Sequence, residues 1–349
     1  HADIGPKATR AGYLILEVQA ELENAIPNIS MKYDPEITDD DFALACVKCA
    51  LKTAKPSFAN HRMFKNELGE NYVIASCYNG LLLGGGAYTL CRLILGHIAE
   101  RSAGIEDFKN NQLPYVMDVM AKYMDARIAF EVEQSGFFES NFLAKEGLIH
   151  RDSFTGMFGL VGLADAVNVL MTKEGKDDRF GHSDAATQLG VEIMDIINEF
   201  NNNHFNKYCE GTGSHFLLHA QVGIAEDKGI APGTRIPIGE EPEELVDHLN
   251  VISNFHKYFV SGTGDIFPVD LTVHKNPEYV LDIIKGSWQK DIRYLSFYSS
   301  DSDVIRITGY LVKRSEIEKY EQGNAVLQNT TQLGTGAKKN GRILERKVR

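Results

Sequence analysis

Helix-like segments alternate with short strand-like runs along the whole chain, and this alternation constrains the fold most strongly. Acidic residues 39–41 begin a helix that Pro56 ends, and residues 72–76 form a short β-prone run. Residues 292–299 form a second such run. Further amphipathic helices are predicted at residues 113–132, 185–201, 243–255 and 277–289. The pattern predicts an α/β fold with interior parallel strands.

Two regions of the chain do not follow this simple alternation. Residues 158–171 are apolar on nearly all sides, which predicts one buried helix. Residues 223–244 are rich in glycine, proline and acidic residues, which predicts a loop.

The composition is that of an acidic globular protein. The 349 residues include 36 basic and 48 acidic ones, which gives a net charge of -12. This charge argues against a nucleic-acid surface and favours a small-molecule substrate or protein partners. The most apolar stretch, residues 156–171, is short for a bilayer and contains Asp165 and Asn168, so no membrane association is predicted. Five cysteines give no disulfide framework, and we expect a reducing, cytoplasmic compartment.

One glycine near the end of the chain has neighbours that suit radical chemistry. Gly309 lies between Thr308 and Tyr310, follows Arg306 and Ile307, and comes after a strand-like stretch. A radical on a glycine Cα is shared with the flanking amide groups, and it can become planar because no side chain opposes it. A tight turn is the alternative reading of the same five residues.

Cys77 lies where a strand-like run meets a glycine-rich turn. An α/β fold presents reactive side chains from this position. The alternative is a buried cysteine that acts as a small hydrophobic residue. No Gly-x-Ser-x-Gly motif is found, and the glycines at 84–86 lack the lysine of a phosphate-binding loop.

The remaining cysteines and histidines predict no metal site, although two sets leave the question open. Cys46 and Cys49 form a C-x-x-C inside a predicted helix, without a second pair at zinc-ribbon spacing. Cys209 precedes His215 and His219, whose spacing places two imidazoles on one face only if this segment is helical.

The segment from Arg306 to Tyr310 resembles the glycyl radical box of glycyl radical enzymes. Residues 56–60, 72–77 and 153–166 resemble segments that occur in the same order in that family, and the overall match is best to its YjjI-type branch. Residues 85–90 and 260–264 are similar to segments of anaerobic ribonucleotide reductases.

The resemblance implies a fold: a ten-stranded α/β barrel made of two antiparallel five-stranded halves, inside which the cysteine and glycine loops meet. Residues 1–290 would form the barrel core that carries the cysteine loop, and residues 291–349 the glycine radical domain. Few residues precede Cys77 for such a barrel, and the chain begins at His1 rather than Met. We therefore expect part of the N-terminal half to lie outside this sequence.

The resemblance also implies a radical relay. Gly309 would store the radical, Cys77 would form the thiyl radical, and Arg306, Thr308 and Tyr310 would support the radical loop. The glycyl radical would be the only cofactor of this chain, because AdoMet and the iron–sulfur cluster belong to a separate activating enzyme. A homodimer is expected.

The substrate is not identified by these motifs. Ser76 precedes Cys77 where formate-lyases carry a second cysteine, and Asn79 stands where diol dehydratases carry a glutamate base. An asparagine cannot accept a proton at neutral pH. The candidates for substrate binding are Asn79, His215, Glu139 and Asp265.

Two other functions stay open. An enzyme of the anaerobic ribonucleotide reductase type is one, although no cysteine follows Cys209 to build the zinc ribbon of those enzymes. A non-catalytic relative that acts as a scaffold is the other.

Overall fold

The computed structural model describes residues 1–220 and 229–349, in which strands and helices alternate as predicted. The strands are β1 (Ala2–Ile4), β2 (Ile29–Tyr33), β3 (Ser57–Asn60), β4 (Tyr72–Ala75), β5 (Asn79–Leu82), β6 (Gly86–Ile94), β7 (Phe154–Val161), β8 (Leu217–Ala220), β9 (Asp265–Val269), β10 (Tyr294–Ser299), β11 (Val304–Arg306) and β12 (Leu311–Lys313).

The helices connect these strands and cover the sheets. They are α1 (Arg10–Leu22), α2 (Asp40–Thr53), α3 (His61–Leu68), α4 (Leu95–Arg101), α5 (Ile105–Asp107), α6 (Leu113–Glu133), α7 (Phe137–Ser140), α8 (Phe142–Lys145), α9 (Leu163–Lys173), α10 (Asp184–Asn203), α11 (Leu245–Ser253), α12 (Glu278–Trp288), α13 (Arg314–Glu321) and α14 (Thr330–Asn340). A π-helical turn, Phe108–Gln112, leads into α6.

Helix α2 begins and ends where the sequence predicts. The side chain of Asp39 caps it by accepting hydrogen bonds from the backbone N–H groups of Asp41 and Phe42, at 3.0 and 3.2 Å. Ala54 ends it in a left-handed conformation, with φ of 55°. Phe42 and the other buried residues of α2 pack against the outer face of the largest sheet.

That largest sheet has the strand order β1-β2-β3-β10-β9. Strands β1, β2 and β3 are mutually parallel, β10 runs antiparallel to β3, and β9 is parallel to β10. Across this sheet the strand direction therefore reverses once, between β3 and β10. Ile29, Met31 and Tyr33 point from β2 into the outer core that α1, α2, α11 and α12 share, whereas Ser30 points the other way, towards Tyr294.

A second sheet, β6-β7-β8, is entirely parallel. All eight residues of β7 are buried, because helices α4, α6, α9 and α10 share one large apolar core with this sheet. The backbone N–H of Ala220 in β8 donates to the carbonyl of Gly262, three residues before β9. The three-stranded sheet thus lies beside the β9 edge of the five-stranded one.

The prediction of one helix over residues 158–171 is wrong. Residues up to Val161 belong to β7, and only Leu163–Lys173 are helical. Gly162 separates the two elements with φ of 75°, a conformation that glycine adopts without strain. A strand buried on both faces is as apolar as a buried helix, so hydrophobic periodicity does not distinguish them.

The segment that follows Cys209 and the predicted loop have different outcomes. His219 lies in strand β8 and His215 precedes it, so the two imidazoles do not share a helical face. The first residues of the loop predicted at 223–244 lie outside the described part, and residues 229–244 contain no helix or strand.

The boundary between residues 1–290 and 291–349 stays a prediction. Strand β10 follows it directly and belongs to the five-stranded sheet, whereas α13 and α14 pack with the β11–β12 hairpin in a separate apolar cluster. Within residues 1–220 and 229–349, no helix is both long and apolar enough to cross a membrane.

The cap of α2 gives a test of this packing. Asp39→Ala removes the acceptor for two backbone N–H groups, and we expect it to lower the free energy of unfolding by about 1 kcal/mol. Asp41→Ala, an exposed acidic residue in the same turn, is the matched control and should cost less than about 0.5 kcal/mol. Urea unfolding followed by circular dichroism measures both; equal losses would contradict the capping role.

Candidate active site

Cys77 lies at the tip of a β-hairpin made by β4 and β5. Ala75 and Asn79 form the last strand pair, and Ser76, Cys77 and Tyr78 make the turn. Ser76 has φ of 58°, which is uncommon for a residue other than glycine and marks a tightly constrained turn. The turn directs Cys77 inward, where only 8% of the residue is exposed.

Gly309 lies at the tip of a second hairpin, made by β11 and β12. Arg306 pairs with Leu311, and the N–H of Ile307 donates to the carbonyl of Tyr310 at 3.0 Å. The five residues of the radical box therefore form one strand end and a four-residue turn.

The tips of the two hairpins meet. A Cβ atom added to Gly309 would lie 2.0 Å from the Cβ of Cys77 and 2.8 Å from its Sγ, closer than real side chains approach. Gly309 does not have a left-handed φ, so the space that Cys77 takes, and not backbone strain, requires glycine. The α-hydrogen in that direction points at Cys77.

Asn28, just before β2, connects the two hairpins. Its side-chain Nδ2 donates to the carbonyl of Ser76 at 2.8 Å and to the carbonyl of Gly309 at 3.3 Å. Its Oδ1 accepts from Nη2 of Arg306 at 3.0 Å. One amide side chain therefore contacts the cysteine turn, the glycine turn and the base of the glycine hairpin.

Two arginines hold the backbone of the glycine hairpin. Arg306 is 1% exposed and also donates to the carbonyl of Ala54 at 3.1 Å. Arg346, from the C-terminal segment, donates to the carbonyls of Arg306 and Ile307. The same region contains Lys55, whose pKa is lowered to about 7 by burial and by the charge of Arg306.

The other two residues of the radical box are less tightly held. Thr308 is buried, its hydroxyl has no hydrogen-bond partner in the described part of the chain, and it lines a cavity of about 170 Å³ beside Ala337. Tyr310 is half-buried against the apolar cluster of α13 and α14, and burial raises its pKa to about 12.

The thiol of Cys77 is kept protonated. Burial raises its pKa above the usual value, and Sγ donates to Oδ1 of Asn79 at 3.4 Å. The backbone of Cys77 is also fixed, because the hydroxyl of Tyr294 donates to the carbonyl of Cys77 at 2.8 Å. A neutral S–H suits a hydrogen-atom donor and does not suit an ionic nucleophile.

Residues 260–264 lie against the cysteine hairpin. The N–H of Gly80 donates to the carbonyl of Ser261 at 3.0 Å. Gly262 has φ of 117°, and a Cβ there would lie 2.0 Å from the carbonyl oxygen of Tyr78. Only glycine permits this approach, so this segment helps to set the position of Cys77.

Of the four residues predicted to bind substrate, only Asn79 contacts Cys77. Asp265 is buried at the start of β9, where its Oδ2 accepts from Nε2 of His256 at 3.1 Å. Burial alone would raise the pKa of Asp265, but His248, His256 and the charge of Arg235 hold it well below its usual range. His215 bonds the carbonyl of His204 at 2.9 Å through Nδ1, and Glu139 is exposed on α7.

The residues considered for a metal do not converge. Cys49 donates weakly to the carbonyl of Leu16 from within α2, and Sγ of Cys209 accepts from the N–H of Gly156. In the described residues, no group of three or more histidine, cysteine, aspartate or glutamate side chains is arranged to hold a metal ion.

Sequence reasoning missed Asn28, Tyr294 and Arg346. Each acts on a residue far away in sequence, and for Asn28 and Gly309 the separation is 281 positions. None lies in a recognisable motif, so only the fold brings them to the hairpins.

A glycine hairpin that meets a cysteine hairpin in an α/β scaffold defines the class of glycyl radical enzymes. The family model described as "Glycyl radical enzyme YjjI-like" matches residues 1–349, and the chain belongs to this family. It is 46% identical over 352 residues to an "Uncharacterized protein" of Haemophilus influenzae, covering all of this chain and 68% of that protein. It is 41% identical over 350 residues to "Uncharacterized protein YjjI" of Escherichia coli, covering all of this chain and 67% of that one.

Solved structures show the same fold at low sequence identity. A glycyl radical enzyme from Archaeoglobus fulgidus matches 97% of this chain with a TM-score of 0.73 and 12% identity. The B12-independent glycerol dehydratase from Clostridium butyricum matches 98% with a TM-score of 0.69 and 13% identity. An anaerobic ribonucleotide reductase matches 93% with a TM-score of 0.66 and 14% identity. The fold is thus the α/β barrel of glycyl radical enzymes, and the chain spans 55%, 55% and 56% of these structures.

The bridge made by Asn28 can be tested through the reactivity of Cys77. Asn28→Asp replaces the donor of two hydrogen bonds by an anionic oxygen, which should weaken the contact between the hairpins by about 2 kcal/mol. That loss corresponds to a roughly 30-fold larger population of molecules in which the two hairpins have separated. Iodoacetamide should therefore alkylate Cys77 faster by about that factor, as measured by peptide mass spectrometry.

Asn24→Asp is the matched control, because Asn24 is exposed and undergoes the same chemical change. Cys46, which is fully buried, serves as the internal reference for global unfolding. Equal alkylation of Cys77 in the two variants would show that Asn28 does not hold the hairpins together.

Proposed function

We propose that this chain carries the hydrogen-atom relay of a glycyl radical enzyme, with Gly309 as the radical store and Cys77 as the working thiol. The single observation that supports this is the contact between the hairpin tips, where Cβ and Sγ of Cys77 take the space of a side chain on Gly309. Hydrogen-atom transfer requires reacting atoms at van der Waals contact, and the 2.8 Å from an added Cβ at position 309 to Sγ of Cys77 supports such an approach.

The relay has three balanced steps. A separate AdoMet-dependent activating enzyme removes one α-hydrogen atom from Gly309 and leaves the glycyl radical. The glycyl radical takes the hydrogen atom of the Cys77 thiol, which restores Gly309 and forms the thiyl radical. The thiyl radical takes a hydrogen atom from a carbon of the substrate, and the reverse transfers return the radical to Gly309 after product forms.

The neighbouring residues support this relay without taking part in it. Arg346 fixes the carbonyls of Arg306 and Ile307, Asn28 fixes that of Gly309, and the side chain of Arg306 anchors the hairpin to Asn28 and Ala54. Thr308 and Tyr310 cover the turn with buried surface, which limits access of water and oxygen. The proposal includes a homodimer in the cytoplasm, acting under anaerobic conditions on a small molecule.

Asn79 limits the analogy with the dehydratases. It accepts a hydrogen bond from the thiol, so it orients the S–H and cannot remove a proton from substrate. A reaction that needs a general base must therefore take it from another residue.

A reductase acting on a nucleoside or nucleotide is the second candidate. It is favoured by the likeness to the anaerobic ribonucleotide reductase fold and by residues 260–264, which lie against the cysteine hairpin. Equilibrium dialysis with CTP tests it, and binding in the micromolar range would support it. A purely structural relative is the least favoured candidate, because a scaffold has no need for a glycine that fits against a cysteine.

Electron paramagnetic resonance tests the relay without knowledge of the substrate. After anaerobic activation, coupling to the remaining α-hydrogen of Gly309 should give a doublet. In D2O the thiol of Cys77 exchanges to S–D and returns deuterium to Gly309, so the doublet should collapse to a single line because deuterium couples more weakly.

Substitutions at Gly309 and Cys77 distinguish the role of the radical store from that of the working thiol. Gly309→Ala should give no signal. Cys77→Ser should give a doublet that persists in D2O, and Cys46→Ser should behave as the wild type. A wild-type doublet that stays unchanged in D2O would refute transfer between Gly309 and Cys77.

Exposure to oxygen gives an independent prediction. Dioxygen adds to a carbon radical, and the peroxyl product breaks the main chain at that carbon. We expect activated protein to release a C-terminal fragment that starts at Gly309, with 40 residues following it. Cys77→Ser should still be cleaved and unactivated protein should not; mass spectrometry that finds only intact chain after the radical has decayed would contradict this.

A further inference from the structure

Arg235 is a buried arginine with most of its hydrogen bonds unfilled. It lies between β8 and α11, is 8% exposed, and its Nε donates to the carbonyl of Gly264. Within residues 1–220 and 229–349, no carboxylate lies at ion-pair distance and its two Nη groups have no hydrogen-bond partner. A buried guanidinium with four unused N–H donors is costly unless a ligand or water completes it.

The other buried arginines each make at least two hydrogen bonds to protein atoms, although Nε of Arg306 has no partner among the described residues. Arg293 makes a two-pronged ion pair with Glu67. Arg346 donates to two carbonyls, and Arg306 donates to Asn28 and Ala54. Arg235 thus makes fewer protein hydrogen bonds than these three arginines, and its Nη atoms are not fully enclosed by the protein, so a ligand or water can reach them.

The guanidinium of Arg235 lies near the turn that carries Cys77. Its Cζ is 5.8 Å from the ring centroid of Tyr78, the residue that follows Cys77. Burial raises the pKa of Cys77, and the positive charge of Arg235 is among the influences that oppose this rise.

The electrostatics of this region run against those of the whole protein. The chain carries a net charge of -12, yet Arg235 and Arg306 are buried near Cys77 without an ion-pair partner among the described residues. The buried carboxylate of Asp265 accepts from His256, and the charge of Arg235 helps to keep its pKa below the usual range. Two buried guanidinium groups therefore face this one ionised carboxylate, and the excess of positive charge suits a negatively charged group.

We infer that Arg235 binds an anionic group of the substrate, a carboxylate or a phosphate, while Cys77 faces a carbon of the same molecule. This inference rests on the proposed function and adds the class of substrate to it. The planar guanidinium matches the paired oxygens of either anion, which a neutral diol does not offer.

Isothermal titration with acetate, inorganic phosphate and glycerol tests the inference. At least one anion should bind the wild-type protein, and glycerol should not. Arg235→Gln keeps a donor for the carbonyl of Gly264 but loses the charge, and should weaken anion binding by about tenfold or more. Arg235→Lys keeps the positive charge but loses the paired N–H donors of the planar guanidinium. This variant should bind the anion more weakly than the wild type.

Arg179→Gln is the matched control, because Arg179 is exposed and already paired with Glu240; its anion affinity should equal that of the wild type. Circular dichroism verifies folding, and if Arg235→Gln does not fold, the wild-type titration and Arg235→Lys decide. The inference is overturned if neither anion binds the wild type, or if the Arg235 variants bind as tightly as the wild type.

Titrations and resonance spectra of the same samples distinguish a failure of the Arg235 inference from a failure of the proposed relay. Collapse of the wild-type doublet in D2O, together with anion binding that does not depend on Arg235, would refute the role of Arg235 and leave the relay standing. A doublet that persists in D2O would refute the relay itself, whatever the titrations give.

Discussion

The approach of Gly309 to Cys77 is the constraint on which the rest of the structure depends. Two hairpins from distant parts of the chain meet at their tips so closely that no side chain fits at position 309. Such a contact tolerates little displacement, because a gap of even 1 Å greatly slows transfer between two atoms. Much of the surrounding structure can be understood as the means of fixing these two tips. The barrel supplies rigid walls, and side chains from those walls hold the backbone of each turn.

Hydrogen bonds to backbone carbonyls supply most of this fixation. The carbonyls of Ser76 and Gly309 are bonded by Asn28, that of Cys77 by Tyr294, and those that precede Thr308 by Arg346. Backbone groups in a turn have no strand partner, and a buried carbonyl without a hydrogen bond is costly. The same bonds therefore stabilise the turns and set their positions. The electrostatics also agree with radical chemistry, because burial keeps the thiol of Cys77 neutral while buried cations give the region a positive potential.

Local sequence patterns predicted the limits of most helices well, but they did not distinguish strand from helix in the apolar interior. Helices α2, α6, α10 and α12 begin and end within two residues of their predicted limits, because caps, proline and amphipathic periodicity act over a few residues. The last four residues of β7, 158–161, are wrongly predicted as helix, since burial on both faces removes the alternation that identifies a strand. Asp265 and His215 were sensible polar candidates, yet their environments depend on His256 and His204, which pair with them only in the folded chain.

The sequence alone determined the family of this chain and pointed to the two residues of the proposed relay. The order of the motifs identified the family, the glycine of the radical box and the cysteine at the end of a strand, because these features are local and can be read from neighbouring residues. Only the tertiary structure decided that the two residues touch, that Asn28 connects them, and that Arg235 lies near the ring of Tyr78 with a single protein hydrogen bond. These relations join residues far apart in the chain, and their energies depend on burial and distance, which exist only once the barrel has formed.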